Sequence, residues 1–352
     1  MKILIYGAGA VGGYLGAKLV QAGYDVTLVA REVTASLINE SGLNITEAGK
    51  TFCVHPHACS SVTQAFLDKE TYDLIILGMK AYDLAEAVDP LAAFCQTPVT
   101  FLTTQNGIDV EKPLVDHFGA EQVISGAFTM PVRRDTPNHL IVERTDRGLA
   151  IAPVAQGQSV TKWAALFREA AVSTETIKDY QAMKWSKAFL NIVGNATSAI
   201  LNRAPGIIYN SDAMFELELR MLQETLAVMK AKGIPVIDLP GAPAKKLAIG
   251  IKYAPKFLLK PTLTRLVESG RGDKMPSFHI DLSSGKRKSE VIYHNGAIAK
   301  AGQELRIPVP VNLTLTNVLW ALTQERIAWR EFDGKPSRLL AELKKTESMQ
   351  NS

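Results

Sequence analysis

Three glycines directly behind a short apolar run limit this chain more than any other feature. Residues 2–6 (Lys-Ile-Leu-Ile-Tyr) are β-prone, Gly7-Ala8-Gly9-Ala10-Val11-Gly12 follows without a spacer, and a helical pattern runs from about Val11 to Ala22 before Gly23. In a strand, loop and helix unit of this kind the first glycine permits the tight turn, the second lets backbone approach a pyrophosphate, and the third allows helix and strand to pack closely. The amide groups and dipole of the helix start then point at the phosphates. A plain glycine turn would use the same letters, but the strand before and the helix after favour a dinucleotide loop made of Gly7, Ala8, Gly9, Ala10, Val11 and Gly12.

The rest of the first half extends that unit. Val26–Ala30, Asp73–Leu77 and Val99–Thr103 are apolar runs of strand length separated by helix-length segments. Near-continuous apolar strands alternating with helices predict an α/β, Rossmann-type, doubly wound parallel sheet covered on both faces. After about residue 175 the pattern changes to long helical segments: 180–200, Ser211 to Lys232 before Gly233, 286–301 before Gly302, and 312–329. The expected organisation is a dinucleotide-binding domain over 1–175, an all-helical substrate and catalytic domain over 176–345, and a frayed polar tail over 346–352.

A chain of 352 residues is long enough for two domains with separate cores. With 47% hydrophobic and 21% charged residues it has a globular composition, and no stretch of roughly 18 apolar residues marks a membrane span. The apolar N-terminus superficially suggests a signal peptide, but Gly7–Gly13 is too glycine-rich and no small-residue cleavage pattern follows. Three cysteines do not make a disulfide framework and favour a reducing compartment, so a cytoplasmic protein is expected. The net charge of +4 is modest, yet Lys245, Lys246, Lys252, Lys256, Lys260, Arg265, Arg271 and Lys274 face only Glu268 and Asp273 within 245–274. That bias could dock an anionic partner, but interleaved apolar residues favour the solvated face of one or two helices.

The end of the second apolar run selects between dinucleotides. A carboxylate there would bond the ribose 2′-hydroxyl and repel a 2′-phosphate; this chain has Val29-Ala30-Arg31, with Glu32 next. A guanidinium can grip a phosphate with two bonds, so NADPH/NADP+ is the expected cofactor, although a solvated loop arginine would look the same. Further along, Ala188 to Asn202 contains no charged residue or histidine, which predicts burial. Read as one helix, Lys187, Asn191 and Asn195 stand four residues apart and form a polar stripe among Trp185, Phe189, Ile192, Val193 and Ile200. Asparagine is unfavourable inside helices, so the stripe invites a reason: it faces a substrate cleft, solvent, or satisfied partners in the core.

Taken in order, the glycine loop, Arg31, Met79-Lys80, Gln105-Asn106-Gly107 and Arg133-Arg134-Asp135 resemble the 2-dehydropantoate 2-reductase, or ketopantoate reductase, family. So do Lys187-x-x-x-Asn191-x-x-x-Asn195, Ser277…Asp281…Gly285…Glu290 and Ile307-Pro308-Val309-Pro310, so that the resemblance covers nearly the whole chain. It implies Lys187 as general acid with Glu290 assisting, Asn191 and Asn195 holding the substrate, and Lys80 and Asn106 near cofactor and substrate. Ser277 joins the expected substrate residues. The chemistry makes the same demand, since hydride delivery to a ketone creates alkoxide charge that needs a proton donor within hydrogen-bond reach.

The implied reaction is NADPH-dependent reduction of a 2-oxo acid, ketopantoate to pantoate in pantothenate biosynthesis. The small 2-oxo acid is the expected partner and nucleic acid and membrane are not; a homodimer is allowed but unspecified. Pro205-Gly206 stands where the family pattern has an asparagine before glycine, the Ser277 to Glu290 stretch is slightly longer, and 241–275 is a basic insertion. These departures leave room for a different 2-oxo acid or an imine, and a non-catalytic NADP(H)-sensing protein is the rival of another class. Cys53, His55, His57 and Cys59 alternate as a soft metal site might, but Pro56 interrupts them and the spacing fits no usual zinc pattern, so no metal is expected.

Overall fold

The computed structural model describes residues 1–271 and 274–350, without side chains for 269–271 and Gln350. Two compact units form, Met1–Met183 with Asp238–Ala242, and Lys184–Ile237 with Pro243–Ser352. The change of pattern expected near 175 therefore falls a few residues before the division, which lies inside a helix.

The first unit runs β1 (Lys2–Tyr6), α1 (Ala10–Gln21), β2 (Asp25–Val29), α2 (Glu32–Ser41), β3 (Leu43–Glu47), β4 (Lys50–Val54), β5 (His57–Cys59), α3 (Val62–Asp68) and β6 (Leu74–Leu77). It continues with α4 (Leu84–Phe94), β7 (Thr100–Thr103), α5 (Lys112–Phe118), β8 (Val123–Phe128), β9 (Val132–Thr136), β10 (His139–Val142), β11 (Leu149–Pro153), α6 (Thr161–Glu169) and β12 (Thr174–Thr176). Eight strands form one sheet in the order β12-β11-β8-β7-β6-β1-β2-β5. Ile3–Ile5 and Leu74–Leu77 are buried throughout because helices cover both faces, as the continuous apolar runs require. The sheet is parallel except where β11 pairs antiparallel with β8.

A second sheet, in the order β4-β3-β10-β9, has no counterpart in the sequence reading. Its β3–β4 hairpin turns through Ala48 and Gly49, both left-handed at φ 48° and 76°, the geometry that suits the twist of a two-residue loop. Strand β9 forms one edge, pairing antiparallel with β10 through an irregularity at His139/Leu140. His55 and Pro56 separate β4 from β5, so Cys53 lies in one sheet and His57 and Cys59 in the other. His57 pairs with Asp68 and Cys59 is buried; among the described residues no His, Cys, Asp and Glu group of three is arranged to hold a metal ion.

In the second unit every described element is helical. Helix α7 (Tyr180–Asn191) crosses the division and is followed by α8 (Ala196–Leu201), α9 (Pro205–Asn210), α10 (Asp212–Ala231), α11 (Ala244–Tyr253), α12 (Lys256–Arg271), α13 (Ser277–Ser283), a 3-10 turn (Glu290–Tyr293), α14 (Asn295–Glu304), α15 (Pro310–Thr323) and α16 (Pro336–Gln350). Ser211, the expected start of the helical segment, caps α10 through its side chain. Several expectations are corrected. The helix expected over 286–301 begins only at Asn295, after the 3-10 turn, and the one expected over 312–329 ends at Thr323. Gly302 lies inside α14 rather than stopping it, and a Cβ there would come within 2.6 Å of Val309, so the position suits glycine for close packing. The tail over 346–352 is helical as far as Gln350, with Thr346 bonded to Thr314, while Asn351 and Ser352 lie outside the described residues. The expected helix over 180–200 is two helices.

The basic segment forms α11 and α12. Lys256 pairs with Glu216 and Lys260 with Asp212, so α10 neutralises part of the charge, whereas Ile249, Tyr253, Phe257, Leu258 and Leu266 are exposed. Asp273, counted in that segment, lies outside the described residues, as does the Arg271 side chain. No helix among the described residues is long and apolar enough to cross a membrane.

Candidate active site

In the first unit the chain leaves β1 for β2 on one side and β6 on the other, so the strand order reverses at β1. Such a switch point leaves a crevice beyond the carboxyl ends of the strands, and Gly7 begins there. Gly7 has φ +105°, and a Cβ on it would lie 2.6 Å from the Met79 amide nitrogen; one on Gly12 would lie 2.2 Å from the Gly7 carbonyl oxygen. At Gly9 the nearest neighbour to such a Cβ is the Gly78 carbonyl at 3.8 Å, so that face is open. Gly7 and Ala8 both donate to the Val29 carbonyl, which fixes the loop against β2. Gly9 caps α1 without a side chain, no acidic residue occupies the first turn, and the first helical bond runs from Gly13 to Gly9. The amides of Ala10, Val11 and Gly12 precede that bond, as a pyrophosphate cradle requires. The residues present thus fit a dinucleotide.

Arg31 follows β2 at the N-cap position of α2 with extended backbone, and its side chain is exposed, as is that of Glu32. Lys80 and Asn106 are half-buried on the loops after β6 and β7. Those loops are tied at one point: the Thr104 hydroxyl donates to the Leu77 carbonyl at 2.7 Å, and the Gln105 amide donates to Leu77 at 2.9 Å and to Met79 at 3.1 Å. Gln105, quoted only as part of a motif, is therefore what sets the path of Lys80 beside that of Asn106.

The second unit gathers most of the remaining candidates. Lys187 and Asn191 are one turn apart on α7, both half-buried. The helix then breaks at 192–195, where Gly194 is left-handed at φ +61°, so Asn195 is not the third member of a single stripe but the residue before α8. The cause is Glu218 on α10, fully buried, which accepts from the Gly194 amide at 2.9 Å, the Thr197 hydroxyl at 2.5 Å and the Tyr209 hydroxyl at 2.9 Å. An internal carboxylate that draws one amide out of the helical ladder is a sufficient reason for the break.

The break swings Asn195 toward α13. Its Nδ2 donates to the Asn191 carbonyl at 3.2 Å and to Ser277 Oγ at 3.3 Å, and its Oδ1 accepts from the Phe278 amide at 3.2 Å. On the other side Asn191 Nδ2 lies 3.4 Å from His294 Nε2, and His294 Nδ1 lies 3.0 Å from the Glu290 carbonyl. Glu290 is 3% exposed, a buried carboxylate rather than a surface one. Asn191, Asn195, Ser277 and the Glu290 turn are thus joined within one unit, with Lys187 a turn away. Sequence reasoning missed Glu218 and His294; the signal for the first was a carboxylate flanked by Leu217 and Leu219, and for the second the four-residue spacing from Glu290. Pro205, the departure from the family pattern, is buried and would lie 3.1 Å from a Cβ on Gly194.

Residues 3–156 match the family model for ketopantoate reductase PanE/ApbA, and residues 179–323 match that for the C terminal part of ketopantoate reductase PanE/ApbA. The chain is 29% identical over 331 residues to the 2-dehydropantoate 2-reductase of Pyrococcus abyssi (strain GE5 / Orsay), covering 93% of this chain and 98% of that one. It is similar to the crystal structure of a PanE/ApbA family ketopantoate reductase from Ralstonia eutropha JMP134, with a TM-score of 0.77, 26% identity, and 93% and 99% of the two chains covered. The ternary structure of D-mandelate dehydrogenase with NADH and anilino(oxo)acetate shares the fold, with a TM-score of 0.75, 20% identity, and 92% and 99% covered. With the two matched segments spanning most of its length, the chain belongs to the ketopantoate reductase family and is an oxidoreductase of the 2-dehydropantoate 2-reductase type.

Proposed function

We propose that the protein reduces ketopantoate to pantoate with NADPH, the step that serves pantothenate synthesis. The observation that carries this reading is the joining of Asn191, Asn195, Ser277 and the Glu290 turn one helical turn from Lys187. The glycine loop and the amides of Ala10, Val11 and Gly12 would hold the pyrophosphate, Lys80 and Asn106 would flank the dinucleotide, and Arg31 would take the 2′-phosphate. When bound, the reduced nicotinamide supplies the hydride.

The chain's own groups do the rest. Negative charge grows on the ketone oxygen during reduction, and the Lys187 ammonium stabilises it and then gives up a proton to that oxygen. Glu290, buried on its turn, supports Lys187. Asn106, Asn191 and Ser277 position the substrate, and Asn195 does so through its hold on Asn191 and Ser277. The three cysteines stand free, which supports a reducing, cytoplasmic location.

A second reading keeps the machinery and changes the acid. It is favoured by Pro205, which sets an apolar wall against Gly194 in place of an amide. The test is the initial rate of NADPH oxidation by the purified protein with ketopantoate, beside NADH and a short panel of other 2-oxo acids. Turnover fastest with ketopantoate and NADPH supports the proposal. Turnover only on another acid moves the substrate assignment to the altered pocket, and tight NADPH binding without any turnover supports a sensor instead.

A further inference from the structure

We infer that His294 is a positioning residue for the reaction, holding the Asn191 amide in a single orientation and tying it to the turn that carries Glu290. The inference rests on the proposed reduction of a 2-oxo acid. His294 is 2% exposed and follows the Glu290–Tyr293 turn, so its ring nitrogens must be satisfied by protein groups. Nδ1 lies 3.0 Å from the Glu290 carbonyl oxygen, which can only accept, so Nδ1 carries the hydrogen. In the neutral ring Nε2 is then an acceptor, and the group 3.4 Å away must be the donating end of the Asn191 amide.

The consequence reaches the substrate. With its NH2 end committed to the imidazole, Asn191 turns its carbonyl oxygen the other way, as a fixed acceptor for a hydroxyl or an ammonium. An amide held by solvent alone could present either end, and a flipped amide would set a donor where an acceptor is needed. The ring is also held: the Phe278 ring meets it edge-on at 5.4 Å and 82°, and the Phe278 amide is the one bonded to Asn195. Helix α7, helix α13 and the Glu290 turn therefore converge on one imidazole, and a ring that locks three elements can set the substrate's hydrogen-bonding pattern without touching it.

The test is a double-mutant cycle. His294→Phe keeps the aromatic contact and deletes both ring nitrogens; His294→Gln offers a donor and an acceptor on one plane. For each, kcat and KM toward ketopantoate are measured at saturating NADPH, with NADPH Kd and the thermal midpoint alongside. His294→Phe should lower kcat/KM about 10-fold, the effect of one buried hydrogen bond, with NADPH Kd within about twofold of the parent. His294→Gln should stay within about threefold of the parent. In an Asn191→Ala background, His294→Phe should add less than about a twofold loss, because its route of action is already gone. The inference is overturned by equal losses in both backgrounds, by parental kcat/KM in His294→Phe, or, where His294→Phe does not fold, by a tenfold loss in a folded His294→Gln with normal NADPH Kd. Absence of turnover by the parent on every 2-oxo acid defeats the proposed function and this inference together, whereas an active parent with additive variants overturns the inference alone.

Discussion

Replacing Glu218 with alanine should be among the most damaging single changes available in the second unit. The carboxylate is fully buried and accepts from the Gly194 amide, the Thr197 hydroxyl and the Tyr209 hydroxyl. A hydrogen bond to a charged group contributes about 1.5–3 kcal/mol. The three share one acceptor group and the vacated space relaxes in part, so their losses do not simply add; the expected total for Glu218→Ala is about 3–5 kcal/mol. At about 2–4 °C per kcal/mol for a unit of this size, the midpoint of its thermal transition should fall by roughly 6–20 °C. Glu218→Gln separates geometry from charge. Its oxygen can still accept from Gly194 and Tyr209 while its NH2 donates to the Thr197 hydroxyl, so only about 1 kcal/mol should be lost. Calorimetry and near-ultraviolet circular dichroism on the two variants read both numbers. A Glu218→Ala midpoint within about 2 °C of the parent, or equal damage from both substitutions, would refute the argument that this carboxylate enforces the break between α7 and α8.

Lys187→Ala should lower kcat on the preferred 2-oxo acid by roughly 100-fold or more with little change in NADPH Kd, and near-normal turnover would move the acid elsewhere. Arg31→Ala should weaken NADPH binding at least about tenfold more than NADH binding, measured by fluorescence titration, and equal losses would remove the phosphate-gripping role. Burial pushes the Glu224 carboxyl up to about 6, against the lowering effect of the Asn312 and Val311 amides, the Asn312 side chain and Arg220. Because the folded state then keeps a proton that the unfolded chain has released, this group's contribution is fully present below the ordinary carboxylate pKa and is lost as pH rises through about 6. Relative to Glu224→Gln, the parent should lose about 2 kcal/mol of unfolding free energy between pH 4 and pH 7, and parallel urea-melt curves across that range would refute it.

How much of this was legible in the sequence depended on how local the cause was. The β1 loop and α1 could be read because the glycines, the apolar run and the helical period lie within about twenty consecutive residues. The second sheet could not, because β3 and β4 meet β10 and β9 only after some ninety intervening residues, and edge strands exposed on one side carry weak apolar alternation. The stripe of Lys187, Asn191 and Asn195 was half right for the same reason. Spacing predicts a shared face along an unbroken helix, and what breaks this helix is a carboxylate from α10, a tertiary effect no window centred on Asn195 contains. Asn195 reaches Ser277 because the stripe is broken, so the grouping expected from the family resemblance arises by a route that periodicity alone would have excluded.

Strand β9 has a consequence for how this protein behaves among its neighbours. It closes one side of the second sheet, so one row of its backbone groups faces outward, and such a row is a template on which a strand from another molecule can add. Yet four of its five residues are exposed and it carries Arg133, Arg134 and Asp135, while the irregularity at His139/Leu140 twists the pair it forms with β10. A second copy laid alongside would have to disturb the Arg133–Asp135 pair and match a bent edge. The charged residues that help mark the family in sequence are also of the kind that keeps an exposed sheet edge from pairing.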